Sequence, residues 1–199
     1  LGQMSRADAY AVLADERGIK LHKYLVEPDL GRVRGIIAAG RAAADVTASL
    51  DCVLRPRRVA VIGASRTPNT IGHEIVSNLV GYGFTGTVFP VNPKADSIRT
   101  LKTYPTIGAV PDPVDMAVIT VPKQHVLAVA EECGQAGVRG LTVISAGFRE
   151  VGGEGVERER QLMEVVRRHR MRMIGPNCMG VLNADPAVSM NATFAPSMP

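Results

Sequence analysis

The rhythm of hydrophobic and polar positions changes at about residue 55. Before it the pattern is helical. Ser5 is a candidate N-cap for a helix through Ala7, Tyr10, Ala11, Val12 and Leu13 to Arg17, with Gly18 as its stop. An apolar piece from Leu21 to Val26 follows, then an alanine-rich helical stretch from about Leu30 to Leu50. We expect these residues to form an amphipathic connector that packs on a neighbour. From Arg55 the pattern alternates. The apolar run Val59 to Ile62, closed by Gly63, reads as a buried parallel strand. Ile71, Ile75 and Leu79 have helical spacing over Ile71 to Tyr82, and Gly81 and Gly83 end that helix. Further strands are predicted at Thr87–Val91, Met116–Val121, Leu141–Ser145 and Met171–Gly175. Helices are predicted between them at Gln124–Ala136, with Val126, Leu127, Val129, Ala130 and Cys133 on or near one face, and at Gly155–Arg170, with Leu162, Val165 and Val166 facing in.

Strands alternating with helices imply β-α-β units with right-handed crossovers. The expected fold is α/β: a Rossmann-like, doubly wound, mainly parallel sheet with helices on both faces. Ligands in such sheets bind outside the carboxyl ends of the strands, near the switch point in strand order. Asn183 to Pro199 carries three prolines and no periodicity and reads as a strap. The expected division is a helical segment over 1–53, a nucleotide-type domain over 54–183, and a linker over 184–199. The start at Leu1 and the strap ending at Pro199 lead us to expect a piece of a longer chain.

Composition narrows the classes. Of the 199 residues 46% are hydrophobic and 21% charged, ordinary for a globular domain. The formal charge of +4 suits a small anionic ligand. Nucleic acid is not expected, because aromatics are only 4% and Trp is absent, leaving no stacking platform. No apolar run is long enough to span a bilayer, and no secretion signal is visible. Cys52, Cys133 and Cys178 are far apart, with no CxxC pair, so neither zinc nor a disulfide framework is supported and a reducing cytoplasm is the expected location. His22, His73, His125 and His169 lack metal-ligand spacing; His73, in the helix after the glycine turn, is placed to see a phosphate, and the bland reading of His73 and His125 is a surface residue. No catalytic residue and no metal ligand is assigned.

The candidate chemistry lies in the turns after the strands. Gly63-Ala64-Ser65-Arg66, followed by Ile71-Gly72, offers a tight bend, free N–H groups near a helix start and close helix–strand packing. Taken alone this turn serves a phosphate and an ordinary strand-to-helix connection equally well. A dinucleotide site would need GxGxxG and an acidic residue after the second strand. Here Ser65 replaces the second glycine, and Asn92-Pro93-Lys94 stands where the acid should be. Lys94 suits a 3′-phosphorylated adenosine, as in coenzyme A; otherwise it is a solvated loop lysine. Val121-Pro122 makes a flat apolar edge for an adenine, or a plain turn. Ser145-Ala146 leaves room for a ligand arm. Gly175-Pro176-Asn177-Cys178 forms a rigid loop in which Asn177 both donates and accepts. Cys178 has no His near it in sequence and reads first as an inert buried thiol.

The ordered set VAVIGAS, Ile71-Gly72, FPVNPK, DMAVITVP, SAGFRE and IGPNCMG resembles the CoA-binding domain of NDP-forming acyl-CoA synthetases, relatives of the succinyl-CoA synthetase alpha subunit and of ADP-forming acetyl-CoA synthetases. The resemblance covers about Leu54 to Pro199. It implies that Gly63, Ala64, Ser65 and Arg66, with Gly72, cradle CoA phosphates and that Asn92 and Lys94 meet the adenosine end. It implies Val121 and Pro122 beside the adenine, Ser145 and Ala146 along the pantetheine arm, and Asn177 and Cys178 near the thiol. It further implies that a small carboxylic acid or acyl phosphate, ATP or ADP, and Mg are handled by ligase and ATP-grasp domains elsewhere, in cis or in trans, so that this piece alone is inactive as an acid–CoA ligase. Two alternatives stand beside it: the CoA-binding part of a fused protein acetyltransferase with a non-catalytic ligase half, and a stand-alone nucleotide-binding regulator.

Overall fold

The structure, a computed structural model, describes residues 48–195. The helices expected before Leu50 lie almost wholly outside those residues. Their described end, 48–54, is helical and runs past the expected stop. It carries Cys52 and Val53 into the core, so this stretch packs on the α/β unit itself.

Five parallel strands build the sheet: β1 (Arg58–Ile62), β2 (Thr87–Val91), β5 (Met116–Ile119), β6 (Gly140–Val143) and β7 (Arg172–Ile174), in the order β2-β1-β5-β6-β7. The strands are short and apolar on both faces because both faces are covered. Side chains alternate as period 2 demands. Val59, Val61, Met116 and Val118 point to one layer, and Ala60, Ile62, Ala117 and Ile119 to the other. Helix α1 (Ile71–Gly81) covers the first layer with Ile75, Val76 and Leu79. Helices α2 (Lys123–Gln135) and α3 (Glu154–Arg168) pack side by side over the second, using Val126, Ala130, Leu162 and Val166. Truncating a fully buried Leu79 or Leu162 to alanine costs about 2–5 kcal/mol.

Register puts Val59 beside Met116 and Met116 beside Gly140. The expected strand ends Val121, Ser145 and Gly175 lie just past the assigned strands. Ladder bonds persist one step beyond, Thr120 N–H donating to Ile62 O at 2.9 Å and Ile144 N–H to Ile119 O at 3.0 Å.

Two small hairpins were not expected. β3 (Ser97–Ile98) pairs antiparallel with β4 (Leu101–Lys102) between β2 and β5. β8 (Gly180–Asn183) pairs antiparallel with β9 (Met190–Thr193). The second corrects the reading of Asn183–Pro199 as a strap without periodicity. All four β9 residues are buried, so no alternation betrays the strand. Its two polar side chains meet each other, Thr193 Oγ1 donating to Asn191 Oδ1 at 2.7 Å. Asn78 of α1 fastens the hairpin, its amide donating to Thr193 O at 2.8 Å and Ala195 O at 2.9 Å. No described helix is long and apolar enough to cross a membrane.

Candidate functional site at the carboxyl ends of the strands

Strand order reverses between β1 and β5, so the crevice outside their carboxyl ends is the favoured ligand position. The turn after β1 sits there. Gly63 has φ +90°, and its N–H donates to Val91 O at 3.1 Å. A Cβ at Gly63 would stand 2.6 Å from Thr120 Oγ1, so the turn tolerates no side chain. Thr120 Oγ1 donates to Ile62 O at 3.0 Å and holds the two strand ends together. Gly72, in the first turn of α1, lets the helix press on the same turn; a Cβ there would come within 2.1 Å of Gly63 O.

Between them the chain loops outward. The Ser65 hydroxyl accepts from Thr67 N–H at 3.0 Å. The His73 ring meets Ser65 O through Nδ1 at 3.0 Å. Since a carbonyl only accepts, Nδ1 carries the proton and Nε2 faces away from it. Glu74 reaches back to accept from Asn69 N–H at 3.0 Å. The N–H groups of Ala64, Ser65 and Arg66 have no acceptor among the described residues. They stand beside the N-terminus of α1, where the helix dipole favours negative charge.

The other sequence-predicted residues are stitched to this turn in strand order. Asn92, after β2, donates through Nδ2 to Ala64 O at 2.7 Å and accepts Lys94 N–H on Oδ1 at 2.8 Å. Its amide is thus consumed within the protein: it braces the β1 turn and presents Lys94, which is exposed. Val121 follows β5, and its carbonyl accepts from Ser145 Oγ at 2.5 Å. Pro122 is exposed and is the N-cap of α2. Ser145 O in turn accepts Asn177 N–H at 3.0 Å, joining the β6 loop to the β7 loop. Ala146 and Asn177 face outward.

Cys178 points the other way. It is 6% exposed, its Sγ lies 3.3 Å from Val143 O, and burial pushes the thiol up to about 11. Its sulfur anchors the loop to the core and is protonated at neutral pH, which agrees with the inert reading. Cys52 and Cys133 are likewise buried, with thiols raised by burial to about 11 and about 12. Among the described residues no group of His, Cys, Asp and Glu is arranged to hold a metal ion.

Two features of the site escaped the sequence. Lys123 opens α2 where an acid would suit the dipole, and its stem lies over Gly147, whose Cβ position is 2.4 Å from Lys123 Cδ. Glu150 accepts from Gly147 N–H at 2.5 Å and Phe148 N–H at 3.1 Å, closing the β6 loop on itself. The signal for Lys123 was a cation directly after Val121-Pro122; the signal for Glu150 was an acid three residues after Gly147. Arg66, Lys94 and Lys123 have no carboxylate partner among the described residues, so this edge presents three unneutralised cations.

The chain matches the family profile described as a CoA binding domain over residues 57–184. It is 48% identical over 153 residues to the alpha subunit of ADP-forming acetate–CoA ligase I of Pyrococcus furiosus, covering 75% of this chain and 33% of that protein. It is 42% identical over 142 residues to the ADP-forming 4-hydroxybutyrate–CoA ligase of Nitrosopumilus maritimus, covering 71% of this chain and 20% of that protein. Among solved structures it resembles the dinucleotide forming acetyl-coenzyme A synthetase 1 of Ca. Korarchaeum cryptofilum in complex with phosphate and ADP, with TM-score 0.70 and 48% identity over 74% of this chain and 31% of that one. The chain thus spans about a third or less of the length of these relatives.

Proposed function

The chain belongs to the family of CoA binding domains, and on that premise we propose that CoA lies along the carboxyl edge of the sheet, across the loops after β1, β2, β5, β6 and β7. The observation that carries this reading is the run of unpartnered N–H groups at Ala64, Ser65 and Arg66, held open by a Gly63 turn that no larger residue fits. These donors, with Arg66 and the α1 N-terminus, receive the diphosphate. Lys94, set by Asn92, meets the 3′-phosphate. The adenine rests on Val121-Pro122. The pantetheine arm follows Ser145-Ala146 towards Asn177, where the thiol emerges over a loop fixed by Cys178. On this reading the edge binds and orients CoA, and Cys178, buried and protonated, is not a nucleophile.

For the whole protein we propose an ADP-forming acid–CoA ligase. Its acid, its nucleotide with Mg, and the bond-making steps belong to parts beyond the family match. On this reading the chain as given forms no acyl-CoA from acetate, ATP and CoA.

Calorimetry with CoA, dephospho-CoA and NAD tests the site. CoA is expected to bind most tightly, with dephospho-CoA weaker and NAD weakest. NAD binding as well as CoA would overturn the proposal.

A further inference from the structure

The opposite edge of the sheet carries a second concentration of positive charge. Parallel strands bring their starts side by side, and most of these starts hold arginine. Arg57 and Arg58 open β1, Arg139 precedes β6, and Arg170 and Arg172 flank the start of β7. In register, Arg58, Asp115 and Arg139 form one row across β1, β5 and β6, at about 4.8 Å per strand. Asp115 is the acid of this row, and it is largely spent: Oδ2 accepts both Arg57 and Arg58 N–H at 3.0 Å, and Oδ1 lies 3.6 Å from Arg58 and 3.9 Å from Arg139.

Of these, Arg57, Asp115, Arg139, Arg170 and Arg172, together with Arg55, line a cavity of about 330 Å³ between the strand starts and the helical segment 48–54. Five arginines and two aspartates are among its lining residues. The Arg57 and Arg170 side chains have no acceptor among the described residues. Arg55 pairs with Asp185 at 2.9 Å, yet its Nε is buried without a partner. Arg170 also holds φ +55°, at the position after α3 where glycine or asparagine is favoured. An arginine kept there at a backbone cost points to use of its side chain.

We infer that this cavity is a second anion site, distinct from the CoA edge, for a small molecule bearing two or more phosphate groups. The cavity falls within the size range of ligand pockets. Guanidinium forks match phosphate oxygens bidentately. Nucleic acid is disfavoured by the 4% aromatic content and the absence of Trp.

The test uses inorganic pyrophosphate as probe, titrated into the chain after saturation with CoA. Binding at millimolar or lower concentration, weakened by salt, is expected while CoA stays bound. Arg57→Gln combined with Arg170→Asn, a residue that tolerates positive φ, should weaken pyrophosphate by roughly tenfold or more, the loss of a charge-assisted contact, and leave CoA affinity unchanged. The exposed Arg57→Gln alone, which touches no packing, should give a smaller loss in the same direction. Absence of pyrophosphate binding, its displacement by CoA, or unchanged pyrophosphate affinity in Arg57→Gln would each overturn the inference. Failure of CoA to bind in the first step would overturn the CoA reading alone, because pyrophosphate is then titrated into the free chain.

Discussion

At the carboxyl ends of the strands the donors are backbone N–H groups of Ala64, Ser65 and Arg66, arranged by glycines, with cations at the periphery. At the amino ends they are guanidinium groups, set out by strand register around Asp115, whose carboxylate is largely spent. The first kind of site is written in the chain's path and depends on where a Cβ is forbidden. The second is written in side chains and depends on their number. So the carboxyl edge should be broken by adding one methyl group and merely weakened by removing a charge. The amino edge should lose its ligand stepwise with each arginine and respond strongly to salt.

The largest effect expected at the carboxyl edge is from Gly72→Ala. The new methyl group would meet the Gly63 carbonyl and neighbouring backbone, which cannot rotate away as a side chain can. Overpacking of this kind costs about 1–3 kcal/mol of stability, readable by urea unfolding. CoA affinity should fall by more than that of any single charge variant, because α1 and the β1 turn move apart together.

Lys94→Ala comes next. Loss of one charge-assisted contact is worth about 1.5–3 kcal/mol, hence roughly tenfold or more in CoA affinity. The same change should leave dephospho-CoA binding unaltered. If both compounds weaken equally, Lys94 is not at the 3′-phosphate. Asn92→Ala sharpens the point: it releases Ala64 O and Lys94 N–H together, and should therefore weaken both compounds.

The smallest effect concerns pH. Burial alone would push the Glu150 carboxyl up, but hydrogen bonds from the N–H groups of Gly147, Glu150 itself and Phe148, with Arg158 nearby, outweigh it and hold the group below the ordinary carboxylate range. The stabilisation is therefore present above the unfolded-state value of about 4.3 and is lost as pH falls through the lower folded value. Glu150→Gln should remove a small, acid-sensitive part of the stability, seen as a flatter stability profile below that pH.

The sequence made the sheet legible because a strand covered on both faces is an unbroken apolar run, as Val59–Ile62 and Met116–Ile119 are. It also marked the carboxyl ends as the candidate edge, since each strand ends in a turn of small or polar residues. β9 was hidden because Met190, Asn191, Ala192 and Thr193 are all buried and two are polar, so nothing in their spacing marks them. β3 and β4, two residues each, are too short to show a period. Within the site, residue types were visible but their directions were not. Asn92 turns its amide onto the chain, and Cys178 turns its sulfur into the core, through backbone bends that spacing does not report. The amino edge was invisible for a topological reason. Arg57, Arg139 and Arg172 are far apart in the chain and line one cavity only when β1, β5, β6 and β7 align.

Whether backbone donors in the β1 turn receive CoA is tested most directly by amide chemical-shift mapping of the labelled chain during a CoA titration. The largest shifts are expected at the amides of Ala64, Ser65, Arg66 and Gly72, smaller ones at Lys94, Ala146 and Asn177, and none at Arg57, Arg139 or Arg170. Unmoved amides at Ala64–Arg66 under saturating CoA, or shifts gathered at the strand starts, would contradict binding at that turn.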